Sequence, residues 1–143
     1  MKKATAYIAI LAVTLIAVTS CELETSGNGK LDGFWHLEQI DTIATGGVTD
    51  LSESNVFWAF QHKLLELTGN TTCLCRFSHA DKSLVINNPY RFDRENGDEP
   101  LADTELLTPY GINALEEHFT VETLTSSKMV LSTDRLRLSF TKF

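Results

Sequence analysis

The last stretch of the chain alternates with a strict period of two: Leu136, Leu138 and Phe140 fall on one side, Arg135, Arg137, Ser139 and Thr141 on the other. Segregation of this kind belongs to an extended strand with one face on a core and the other in water. Two further β-rich runs precede it, 119–124 and 128–133, separated by Thr125-Ser126-Ser127 and by Thr133-Asp134-Arg135. Hydroxyl and Asp side chains bond their own backbone and so favour turns at these points. Upstream, 34–43, 56–61, 64–68, 72–79 and 83–87 read as five more strands, with turns at His62-Lys63, Gly69-Asn70 and Ala80-Asp81-Lys82. Within 34–43 the alternation slips, placing Trp35 and Leu37 on one face and Ile40 on the other, which predicts a bulge or bend. Eight strands joined mainly by short turns predict an all-β fold, an eight-stranded antiparallel up-and-down barrel, because closure removes the edges an open sheet would expose.

The connection 88–118, between strands five and six, is too long to be a structureless loop in a compact domain. It holds Pro89, Pro100, Pro109 and a cluster of acids, and is read as a flap over the barrel or a plug against its end. A short helix is expected at 112–118 with Asn113 as its cap.

At the other end of the chain, Lys2 and Lys3 precede an apolar stretch, 6–18, interrupted by Thr14. The length suits a secretory signal and falls short of the roughly 20 apolar residues of a transmembrane helix. Val18-Thr19-Ser20-Cys21 then matches a lipobox, which predicts cleavage before Cys21 and lipid on its thiol. The expected organisation is a signal peptide at 1–20, a lipidated flexible tether at 21–30 and one domain at 31–143. The protein is expected in the cell envelope, anchored outside the cytoplasm; Glu22, in place of an aspartate linked with inner-membrane retention, favours the outer membrane. Acids outnumber bases 19 to 12, a formal net charge of −7 that grows once Lys2 and Lys3 are removed. Such a charge repels nucleic acid and anionic headgroups, so membrane contact is expected through the lipid anchor alone.

Chemistry-bearing motifs are scarce. Cys73 and Cys75 stand at i and i+2 on one strand, too far apart along it for ordinary disulfide geometry, and read as two small buried hydrophobes. The alternative is a metal or reactive-thiol site shared with His62 or His79. His36, His62, His79 and His118 fall on separate elements, and no His-x-x-x-His, Cys-x-x-Cys or Gly-x-Ser-x-Gly spacing organises them. The acidic run 93–99 departs from the calcium-loop pattern and reads as a solvated turn. No catalytic residue, metal or cofactor is assigned, and the chain is read as a non-enzyme.

Gly33-Phe34-Trp35 stands just before the first strand, Trp58-x-Phe60 lies in the second, and the chain ends on Val121-Glu122-x-Leu124-Thr125, Met129-x-Leu131 and Leu136-x-Leu138-x-Phe140. On these residues the chain resembles the small bacterial lipocalin-like lipoproteins over 31–143. The resemblance implies that Gly33 and Trp35 form a barrel-closing motif, and that an arginine packs on the Trp, for which Arg135 and Arg137 are the candidates. It also implies a small apolar or amphipathic ligand. The inward faces of the strands contribute Trp58, Phe60, Leu65, Leu67, Phe77, Phe119, Val121, Met129, Leu131, Leu138 and Phe140, which either line a cavity or fill it. The other function class is a structural or interaction lipoprotein, an accessory subunit or inhibitor with a packed barrel, whose working surface would be Tyr90, Leu106, Leu107 and Tyr110.

Overall fold

Alternating strands need partners on both edges, and here the sheet supplies them by closing on itself. The computed structural model describes residues 27–143, so Cys21, the signal segment and most of the tether lie outside the described residues. A 3₁₀ turn at Gly29–Leu31 leads into β1 (Gly33–Thr42), followed by β2 (Gly47–Asp50), β3 (Phe57–Gln61), β4 (Leu64–Thr68) and β5 (Cys73–Ala80). The chain continues through β6 (Ser83–Arg91), β7 (Glu99–Pro100), a second 3₁₀ turn at Thr108–Tyr110, β8 (Glu117–Leu124), β9 (Lys128–Ser132) and β10 (Leu136–Lys142). Every pairing is antiparallel, and β10 pairs with both β9 and β1. The result is a closed eight-stranded barrel of lipocalin-like fold, made by β1, β3, β4, β5, β6, β8, β9 and β10.

The two remaining strands are short additions outside the ring. β2 takes up the second half of β1 (Gln39–Thr42) where β3 leaves it, and β7 does the same for the last two residues of β6 beyond its pairing with β8. Both serve the same end of the barrel. The tight turns at His62-Lys63, Asp81-Lys82 and Thr125–Ser127 lie at the opposite, closed end, together with the start of β1 and the end of β10. The open end carries the long β1–β3 and β6–β8 connections.

Bulges reconcile the pattern with closure. The register between β1 and β10 shifts at Glu38, which explains why Leu37 lies in the core while Ile40, an odd number of residues further on, also packs against it, half-buried. A second shift sits opposite Cys75, where Asn88 adopts a positive φ of 48° and Pro89 follows. A proline cannot donate to the ladder and is tolerated at a bulge, so β6 runs past the expected stop at residue 87 to Arg91.

The 88–118 segment acts as a plug. Leu107, Tyr110 and Ile112 are all buried in the same cluster as the barrel residues, and Tyr110 Oη donates to Thr71 O at 2.5 Å. Gly111, at φ 83°, lets the chain turn here; a Cβ would meet Leu138 Cδ2 at 2.5 Å. The helix expected at 112–118 is not formed. Glu117 opens β8, and the Asn113 backbone N–H donates to the Glu117 carboxylate at 2.9 Å, so the acid side chain closes the turn that Asn113 was expected to cap. Leu107 and Tyr110 are correspondingly core residues and cannot form an exposed working surface; Tyr90 and Leu106 are half-buried. The core cluster runs from Leu31 to Phe140 without a break in the ring, so residues 27–143 hold a complete core of their own, as a unit able to fold alone requires.

Candidate functional site

Strand alternation sends eleven side chains inward as expected: Trp58, Phe60, Leu65, Leu67, Phe77, Phe119, Val121, Met129, Leu131, Leu138 and Phe140 are all buried in one cluster. They meet each other closely. The Trp58 ring centroid lies 4.9 Å from Phe140 and 5.8 Å from Phe119, and Phe60 lies 5.0 Å from Phe77, all edge-on as the ring quadrupoles favour. The Trp58 indole N–H is buried in this interior with no hydrogen-bond partner among the described residues.

The closed end is sealed by the glycine–tryptophan motif. Trp35 is fully buried and its Nε1 donates to Leu31 O at 2.9 Å, tying β1 to the 3₁₀ turn that covers the barrel floor. Gly33 has φ 126°, a conformation that favours glycine, and a Cβ there would meet Lys142 Cε at 3.2 Å, so a larger residue would also have to displace the end of that lysine. The cation over the Trp is Lys142, whose Nζ sits 4.8 Å from the ring centroid and donates to Lys30 O at 3.1 Å. Neither arginine candidate serves: Arg137 pairs with Glu122 on the outer face at 2.9 Å, and Arg135 is exposed in the β9–β10 turn.

A cleft of about 980 Å³ lies at the open end. Its apolar wall is built by Leu51 and Val56 from the β1–β3 connection, Leu106 and Pro109 from the plug, and Ile40 and Leu136 from β1 and β10. Asn55, Asn70, Thr71 and Ser54 supply amides and hydroxyls, and the charged groups on the lining are Glu53 and Glu105. The first wall is held rigidly. Leu37 N donates to Val56 O, Leu51 N to Glu38 O, His36 Nε2 contacts Ser54 O at 2.6 Å, and Asp50 accepts from the Ser52 backbone and hydroxyl. Those Ser52 bonds hold the Asp50 carboxyl below the usual carboxylate range. The opposite wall is held by Tyr110 on Thr71 O. None of the eleven inward barrel residues borders this cleft, whose lining comes instead from loops the strand periodicity passes over; a large apolar pair (Leu106, Leu107) beside a proline was the available sequence signal.

The cysteines are free, buried, and face the core opposite Leu67 and Leu65. Burial pushes the Cys75 thiol up to about 12, Cys73 adding to the effect, and also raises Cys73 against the pull of Arg91. His79 contacts Asp81 O in its own turn and His62 is exposed at positive φ, so the thiol–imidazole alternative is not assembled. Among the described residues no group of three or more His, Cys, Asp or Glu side chains is placed to hold a metal. In the acidic run, Asp93 accepts from Glu95 N, Asn96 N and Asn96 Nδ2, bonds that hold its carboxyl low and make the segment a self-bonded turn.

The sequence model of the lipocalin-like domain family matches residues 15–143. Two crystal structures share the fold. One is a lipocalin-like protein from Bacteroides uniformis, 23% identical, with a TM-score of 0.62 over 80% of this chain and 100% of that one. The other is an uncharacterized protein from Bacteroides eggerthii, 19% identical, with a TM-score of 0.56 over 79% of this chain and 99% of that one. Comparison with curated proteins finds no match.

Proposed function

The chain belongs to the lipocalin-like domain family, and from that premise we propose that it is a lipid-anchored binding protein of the outer cell envelope that takes a small amphipathic ligand in the cleft at the open end. The observation that carries this reading is the cleft itself. Its volume of about 980 Å³ falls within the usual range for small-molecule sites, and its lining sets apolar side chains beside amides, hydroxyls and two carboxylates, the mixture an amphipathic ligand needs. The barrel interior, filled by its own rings, acts as the scaffold beneath it. A binding role is supported by the state of both thiols, which are buried and raised and so unsuited to nucleophilic chemistry.

Uptake of a fluorescent apolar probe, followed by titration, tests the site. Wild type binds, and Leu106→Asp or Leu51→Asp weakens binding about tenfold or more, because each removes apolar wall worth roughly 1.5–3 kcal/mol. A protein that takes up no probe, or variants that bind as wild type does, would refute the cleft. Anchoring rests on the lipobox ending at Cys21; fatty-acid labelling that survives Cys21→Ser would count against it. The packing of the interior aromatics favours a second reading, an accessory or inhibitory lipoprotein without cargo, and a partner recovered by a cleft-independent pull-down would support it.

A further inference from the structure

We propose that the closed end of the barrel is a membrane-contact surface, resting on anionic headgroups and turning the open cleft away from the bilayer. The net charge of −7 conceals a strong asymmetry. Every lysine among the described residues, Lys30, Lys63, Lys82, Lys128 and Lys142, lies at the closed end: in the 3₁₀ turn, in the β3–β4 and β5–β6 turns, at the start of β9 and at the end of β10. The first four are exposed, and none of the five joins an ion pair among the described residues. The described turn carboxylates there are Asp32 and Asp81, and that of Asp32 accepts from Asn28. Acids crowd the other end, where the plug segment alone holds Asp93, Glu95, Asp98, Glu99, Asp103 and Glu105.

A second observation points the same way. On the outer wall beside the closed end, Phe34 stacks on Phe57 at 4.5 Å, and Phe143 meets both edge-on at 5.8 and 5.7 Å. Phe143 is 87% exposed and Phe34 36%. Exposed rings on a rim of lysines match the boundary between headgroups and acyl chains. The chain preceding the described residues also enters at this end, with Cys21 eight positions before Gly29. A tether of that length spans at most about 30 Å.

Distance decides whether the acids matter. A tilted seven-residue strand sets the two ends about 20 Å apart, whereas charge is screened over roughly 8 Å at physiological salt. The lysines therefore act on a nearby surface while the acids do not. Each exposed lysine is expected to raise partitioning onto an anionic bilayer about fivefold, the equivalent of about 1 kcal/mol.

Residues 27–143, prepared without any acyl chain, test this separately from the anchoring reading. They are cosedimented with vesicles of phosphatidylcholine alone or with about a third phosphatidylglycerol, at low and high salt. The expected result is binding to the anionic vesicles that salt weakens. The combined K30Q/K63Q/K82Q/K128Q variant should lose on the order of a hundredfold or more, Phe143→Ala a few-fold, and E95Q/E99Q at the open end nothing. Circular dichroism verifies that each variant keeps its fold. Wild type that ignores anionic vesicles at low salt, a lysine variant that binds undiminished, or binding abolished equally by dilute inorganic phosphate would overturn the proposal.

Discussion

Trp35 is held by two contacts, its N–H on Leu31 O and the Lys142 ammonium over its face. Lys142→Met should lower stability by about 1 kcal/mol in urea denaturation, with Lys142→Arg recovering most of it. An unchanged midpoint in Lys142→Met would mean that the cation merely shelters there. The lysine was not legible beforehand. Alternation correctly turns Arg135 and Arg137 outward, but which cation reaches back over Trp35 depends on the register that sets Trp35 opposite Lys142, and that register appears only once β1 and β10 pair. The cysteines behaved as their spacing implied, facing the core as small hydrophobes. Their thiols should resist an aromatic disulfide reagent in the native protein and react fully in denaturant; rapid native labelling would contradict the buried, raised thiols.

Strands were the legible elements and the plug was not. Each inward residue of β3, β4, β9 and β10 could be read from period two, because those strands have one face on the core and one in water. The plug buries Leu107, Tyr110 and Ile112 from a segment with neither strand nor helix period, so nothing local announces which of its apolar residues turn inward. Its seat is Gly111. Replacing Gly111 by Ala combines a strained φ with a clash against Leu138, and a loss of roughly 2 kcal/mol is expected, measured by thermal melting. The same variant should weaken probe uptake, since Tyr110 is both plug and cleft wall. Retained uptake in a destabilised variant would separate the two roles.

For the molecule as a whole, burial of neutral acids sets an alkaline limit on stability. Burial raises the Tyr110 phenol from 10.0 to about 12 and the Cys75 thiol from 9.0 to about 12. Both stay protonated in the folded barrel while the unfolded chain ionises first. Their contribution is therefore complete below pH 9 and is lost as pH rises from 9 to about 12. Melting temperatures should fall across that window, and the Cys75→Ala/Tyr110→Phe double variant should flatten the fall; a parallel decline would assign it to other groups. Charge shows the limit of reading a chain by its totals. A net charge of −7 suggests repulsion from any anionic surface, yet among the described residues pairing sorts the lysines to one end and most of the acids to the other, an arrangement that exists only in three dimensions. The seam between β1 and β10 has a further consequence, for the order of events in making the protein. The first strand of the ring waits for the last, and Phe143 N itself bonds back to Phe34 O. A chain made from its N-terminus cannot close this ring until β10 has emerged, so the pairing that completes the barrel joins segments about a hundred residues apart, and closure comes late and slowly.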